Sequence, residues 1–285
     1  MHGDGAAGGG HAWTDWGGDG RLLHFAHGNG FPPGTYRRLI EDLLPRVHVV
    51  SMAARPLWAG SSPDGVDDWR VLADDLRRAL RGRGLERVVG VGHSLGGTVT
   101  ALAAAADPEL FQALVLIDPV VFTGTRALVW EVVKALGLRR RMSLARMARR
   151  RRERFADHQA VHDAYEGKGM FGAWDPEVFE DYVRAGFAHS TDDAVRLRYP
   201  REWEARIFET STPFIWTELR ALDQPILVVR GAASDTFVAA AGERVRRELP
   251  TAEVVDVEGA THTVPMEKPH EVARLILAFL DRLSL

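Results

Sequence analysis

Cysteine is absent from the 285-residue sequence. That excludes disulfides, thiolate metal sites and a cysteine nucleophile. Lysine is scarce, with only Lys134, Lys168 and Lys268, so the cationic charge is carried by arginine, which reads as coding bias. No uninterrupted apolar run reaches the 18 or so residues that a membrane helix needs, and the opening MHGDGAAGGG lacks the apolar segment of a secretory signal. A cytoplasmic protein without stable membrane insertion is therefore expected. A strong charge imbalance is missing too: the formal net charge is −3, which gives no global attraction to nucleic acid. What remains is globular composition, 46% hydrophobic and 26% charged, long enough for one enlarged domain or a core with an insertion.

Residues 1–20 are glycine-rich and read as a loose lead-in with one short edge strand around HAWTDW. From Leu22 strands and helices alternate: strand 22–27, helix 35–44, strand 47–52, helix 67–82, strand 87–93, helix 94–106, strand 113–119. The strands are short apolar runs without strict alternation, as expected when helices cover both faces of a parallel sheet. The pattern stops after Pro119 and resumes with strand 225–231, helix 238–248, strand 252–259 and helix 270–283. Between them lie about a hundred residues with helical periodicity and no strand signal. The fold class is thus α/β, a mostly parallel sheet with helices on both faces. Its core is 21–121 plus 222–285, with a helical cap inserted at 122–221. Within the cap, the arginine-dense LRRRMSLARMARRRRERF (138–155) reads as a solvated helix face; a site for anionic substrates or a membrane surface is the sharper alternative.

Three segments carry chemistry, and all would meet at the carboxyl ends of the strands. The first is Gly92-His93-Ser94-Leu95-Gly96, a G-x-S-x-G match at a strand-to-helix junction, where glycines two residues either side of Ser94 permit a strained turn. A serine hydroxyl is a poor nucleophile unaided, so a base is expected nearby. His262, in the loop EGATHTVPMEKP, is the candidate; His27 and His270 are assigned to loop fixing and to solvent. An orienting carboxylate must face the other imidazole nitrogen. Asp235, after strand 225–231, is the first choice and Asp118, after strand 113–119, the alternative, since an aspartate before proline often only caps a turn. The third segment, FAHGNGFPPGTY, lets the N–H of Asn29 join that of Leu95 in an oxyanion hole. Phe31, Arg55 and Trp58 are expected to line the substrate pocket, although Trp58 could equally pack under the cap. Glycine patterns for a dinucleotide or a phosphate loop each fail by one residue, so neither NAD nor ATP is indicated.

Taken in order, HGNG, GHSLGG, SD and THTVPMEKP resemble the α/β-hydrolase superfamily over essentially the whole chain from residue 20. The resemblance implies acyl transfer to Ser94, hydrolysis of the acyl-enzyme by water, proton relay by His262, and no metal or organic cofactor. It implies esters, lactones or thioesters as small-molecule substrates. HGNGFPPGTY is also similar to loops of epoxide hydrolases and haloalkane dehalogenases, but those relatives carry aspartate where this chain has Ser94. Carbon–carbon bond hydrolysis and acyl transfer to another acceptor use similar residues. The cap aromatics, Trp130, Trp174 and Trp203 among them, read mainly as the cap's own core and secondarily as walls for an apolar acyl or aryl group. A small-molecule receptor on a hydrolase scaffold is the alternative from a different class, and nucleic-acid binding lacks any groove-reading motif.

Overall fold

A computed structural model of the protein describes residues 12–212 and 214–284; the first half of the glycine-rich lead-in lies outside them. In chain order the strands are β1 (Trp13–Gly17), β2 (Arg21–Ala26), β3 (Val47–Met52), β4 (Val88–His93), β5 (Phe111–Ile117), β6 (Arg154–Phe155), β7 (Phe187–His189), β8 (Val195–Leu197), β9 (Ile226–Gly231) and β10 (Ala252–Val257). Seven of them form one sheet in the order β1-β3-β2-β4-β5-β9-β10. β1 pairs antiparallel with β3 at the edge, and every other neighbouring pair is parallel. This is the α/β sheet expected from the sequence, with the short edge strand at Trp13–Gly17.

The side-chain period of two explains the unbroken apolar runs. On β5, Leu114 and Leu116 join one core cluster, whereas Ala113, Val115 and Ile117 join the other. β9 divides the same way, Ile226 and Val228 against Leu227 and Val229. Each face is covered by helices: Arg70–Gly82 and Leu95–Ala106 bury residues in the first cluster, and Arg37–Leu43 and Pro269–Arg282 in the second. Both faces are therefore buried, and neither needs polar alternation.

The chain between β5 and β9 is mainly helical, but it also contains a small antiparallel sheet in the order β6-β8-β7. That corrects the expectation of no strands there. Strands of two or three residues are too short to show a period of two. The arginine-dense stretch is not one helix either. It forms a single 3-10 turn at Arg139–Arg141, a helix at Ser143–Arg149 and then β6. The aromatics of the inserted segment are largely interior: Phe155, Phe187 and Trp203 are at most 2% exposed.

Candidate active site

β4 ends in the sharpest turn of the site. Ser94 has φ 55 and ψ −117, a conformation that is costly for a residue with a side chain. The turn can form only because its flanks are bare. A Cβ on Gly96 would stand 2.1 Å from the carbonyl oxygen of Ala26, and one on Gly92 would stand 2.4 Å from the carbonyl carbon of Gly96. The Ser94 N–H donates to the Ile117 carbonyl (2.9 Å), tying the turn to the end of β5. The side chain is thereby lifted above the strand ends at the amino terminus of helix Leu95–Ala106, and the residue is 8% exposed.

His262 meets it from the loop after β10. Ser94 Oγ lies 2.9 Å from His262 Nε2, and His262 Nδ1 lies 2.7 Å from Asp118 Oδ1. A neutral imidazole with its proton on Nδ1 satisfies both contacts, donating to the carboxylate and accepting from the hydroxyl. The carboxylate partner is therefore Asp118, and the first choice, Asp235, is corrected. Asp235 is exposed; its carboxylate accepts from the neighbouring Thr236 hydroxyl (3.3 Å), and its carbonyl accepts from Arg126. Asp118 sits at φ 41 and is fully buried. Its carboxylate accepts from the Ser234 hydroxyl (2.7 Å), the Gly231 N–H (3.0 Å) and the Phe237 N–H (3.3 Å). The SD loop after β9 thus contributes Ser234 as a support for the Asp118 carboxylate rather than the carboxylate that meets His262.

The His262 loop is held from two sides. Glu267 accepts from the Thr261 N–H (3.0 Å) and the Thr263 hydroxyl (2.7 Å). The His262 carbonyl accepts from His93 Nε2 at 2.9 Å. His93 Nδ1 in turn accepts from the Tyr36 hydroxyl (2.8 Å), whose oxygen accepts from the Gly28 N–H (2.9 Å). One continuous set of donors therefore joins the Gly28 turn to the histidine loop, a link that the sequence motifs did not signal. Burial pushes the His93 pKa down to about 3, so the ring is neutral and the direction of each bond is fixed.

Gly28 to Phe31 form a turn closed by a Phe31 N–H to Gly28 carbonyl bond (3.3 Å), with Gly30 at φ 81. A turn of this type does not use the N–H of its second residue, Asn29. The Asn29 side chain is clamped by the insertion: it donates to the Glu204 carbonyl (3.1 Å) and accepts from the Tyr199 hydroxyl (2.9 Å). The Leu95 N–H is in the first turn of its helix, where N–H groups have no intrahelical acceptor. Phe31 packs against Trp174 and Tyr182, with ring centroids 5.5 and 6.0 Å apart. Arg151 lies against the same turn, its charge matched by Glu204 and its guanidinium bonded to the Tyr182 hydroxyl.

Arg55 and Trp58 lie on the loop after β3. Arg55 forms a two-point ion pair with the buried Asp75 (2.7 and 2.6 Å), and Trp58 donates to the Ala53 carbonyl (2.7 Å). Both brace the loop after β3 against the core. His27 fixes a loop: its Nε2 accepts from the Ala54 N–H (2.9 Å) and its Nδ1 donates to the Gly28 carbonyl (2.9 Å). No group of three potential metal-ligating His, Asp or Glu residues occurs among the described residues.

Comparison with known proteins matches this arrangement to a family. The model described as the alpha/beta hydrolase family matches residues 25–275, and the chain belongs to that family. It is similar to 2-(acetamidomethylene)succinate hydrolase of Mesorhizobium japonicum, 25% identical over 93% of this chain and 89% of that protein. It is also similar to esterase YbfF of Escherichia coli, 25% identical over 85% of this chain and 86% of that one. A crystal structure of E-2-(acetamidomethylene)succinate hydrolase superimposes with a TM-score of 0.77, at 25% identity over 95% of both chains. The protein is thus a hydrolase of the α/β class.

Burial lowers the pKa of His24 to about 3 and of His27 to about 4, as it does for His93, against an ordinary value of 6.5. The unfolded chain therefore takes up protons that the native state refuses, and stability is complete above pH 6.5 and declines below it. Each histidine contributes at most about 1.4 kcal/mol per pH unit in that window. Urea unfolding is expected to show a midpoint that drops between pH 7 and pH 5, with a shallower drop for His24→Gln. A midpoint independent of pH over this range would contradict the neutral assignment.

Proposed function

We propose that the protein cleaves an ester-type bond, in a carboxylic ester, lactone or thioester, through an acyl-enzyme on Ser94. The observation that carries this reading is the unbroken contact from the Ser94 hydroxyl through His262 to Asp118, 2.9 and 2.7 Å, beneath a strained turn. A receptor on the same scaffold would have no need of all three groups in register.

In the proposed reaction His262 Nε2 takes the Ser94 proton as Oγ attacks the acyl carbon. The Asp118 carboxylate, held by its three other donors, stabilises the imidazolium and fixes its tautomer. The developing oxyanion is met by the N–H groups of Leu95 and Asn29, each worth about 3 kcal/mol in sites of this kind, assisted by the helix amino terminus. His262 then delivers its proton to the leaving group. It next removes one from water, which attacks the acyl carbon and restores Ser94. No step in this sequence requires a metal or an organic cofactor.

The segment 122–221 acts in this reading as a cap over a small-molecule substrate. The name of the Mesorhizobium relative implies a dicarboxylate substrate. Here the cation beside the oxyanion turn, Arg151, is already matched by Glu204. With Phe31, Trp174 and Tyr182 as neighbours, this favours an uncharged, apolar acyl or aryl group.

A fluorophosphonate is expected to add once to the wild type, as read by intact mass, and not to Ser94→Ala. On a p-nitrophenyl ester series, Asp118→Asn should lower kcat/KM by about 10⁴-fold, while Asp235→Asn leaves it nearly unchanged. The reverse pattern would return the acid role to Asp235, and labelling of Ser94→Ala would remove the reading altogether. Tyr36→Phe leaves the Gly28 N–H without its acceptor and His93 Nδ1 without its donor. The expected result is a kcat about tenfold lower at similar KM, since a lost buried hydrogen bond of this kind costs about 1–3 kcal/mol. An unchanged kcat would show that the link does not position the base.

A further inference from the structure

Most of this protein's exposed large apolar side chains lie in one short stretch. Of the seven among the described residues, six fall between 128 and 147: Leu128, Val129, Val132, Leu136, Leu144 and Met147, each between 49% and 67% exposed. Leu128, Val132 and Leu136 recur every four residues along helix Gly124–Ala135 and its carboxyl cap, which puts them on one stripe. That helix buries only Trp130. The following helix, Ser143–Arg149, hides Ala145 and Ala148 while Leu144 and Met147 face outward. An ordinary surface helix does the opposite, burying its large residues and exposing polar ones.

The same stretch is cationic beyond anything else in the chain. Residues 132–152 hold nine arginines and lysines and no acid, in a protein whose net charge is −3. Arg140, Arg141, Arg146 and Arg150 are exposed, and among the described residues none of them enters an ion pair. Unpaired cations set among exposed aliphatics are the chemistry of a surface that lies in a lipid interface.

We propose that residues 128–150 form a docking surface for an anionic lipid bilayer, with the arginines at the headgroup phosphates and the aliphatics at the acyl boundary. A second copy of the chain fits less well, because a two-fold pairing of this face would set its arginines against their own images. Nucleic acid would satisfy the arginines but leave the aliphatics without partners, and the stretch presents no exposed aromatic on which bases stack. Attachment is reversible and superficial, since no described helix is long and apolar enough to cross a membrane. The proposal is independent of the reaction assigned to Ser94.

Vesicle sedimentation tests it. The wild-type protein is expected to sediment with phosphatidylcholine vesicles containing phosphatidylserine, to stay largely in solution with phosphatidylcholine alone, and to be released by salt. Each arginine near an anionic surface is worth about fivefold in binding, so Arg140→Gln, Arg141→Gln and Arg146→Gln together should lower the partition constant about a hundredfold. Leu128→Ser, Val132→Ser and Leu136→Ser together should also weaken it, and thermal melting reports that both triple variants are folded. Three outcomes would overturn the proposal: no binding to anionic vesicles, binding insensitive to the arginine triple, or a concentration-dependent dimer that the serine triple abolishes without any vesicle affinity. Retention on duplex DNA in the absence of vesicle binding would overturn it as well.

Discussion

The site depends on one hydrogen bond, from the His262 imidazole to the buried Asp118 carboxylate. A carboxylate wholly removed from water is costly unless its oxygens are satisfied, and here four donors from two separate stretches of chain converge on an acceptor carried by a third. Two of those stretches, the Gly231–Phe237 loop and the His262 loop, follow the last two strands of the sheet. The third, β5, delivers Asp118 at a positive φ, which turns the carboxylate toward the other two. Remove this anchor and the histidine has nothing to select its tautomer. The Ser94 hydroxyl then faces an imidazole of undefined orientation.

Around that bond the fold behaves as a convergence device. Parallel strands end on one side, so the loops after β2, β4, β5, β9 and β10 are forced together although they span more than 230 residues of sequence. The bare flanks of the Ser94 turn let the helix start immediately. The Gly28 N–H, Tyr36, His93 and the His262 carbonyl then couple the turn that bears Asn29 to the loop that bears His262. The inserted segment adds its own hold through Tyr199 and Glu204 on the Asn29 side chain. Displacement of the insertion would therefore be felt at the Asn29 turn.

Much of this was legible in the sequence, for reasons that also explain what was not. Apolar runs such as ALVLI and PILVV suit strands covered on both faces, and the sheet found matches the expected strands to within two residues at each end. Ser94 and His262 were legible because a glycine-bracketed turn and a histidine loop leave local signatures. The carboxylate leaves none. Asp118 before Pro119 looks like any turn cap, and what distinguishes it, burial beneath Ser234, Gly231 and Phe237, exists only once β5 and β9 are paired. Asp235 had the better family position and yet points to solvent. The partner of Arg55 was hidden for a similar reason, since the buried Asp75 that pairs with it lies on the next helix. The small strands β6, β7 and β8 were too brief to show any period.

The most direct test of the central bond is the proton NMR signal of His262 Nδ1–H. A proton between a ring nitrogen and a buried carboxylate oxygen only 2.7 Å apart should be strongly deshielded and protected from exchange. The account predicts a far-downfield resonance in the wild type that disappears in His262→Ala and in Asp118→Asn but persists in Asp235→Asn. Its persistence in Asp118→Asn, or its loss in Asp235→Asn, would contradict the account.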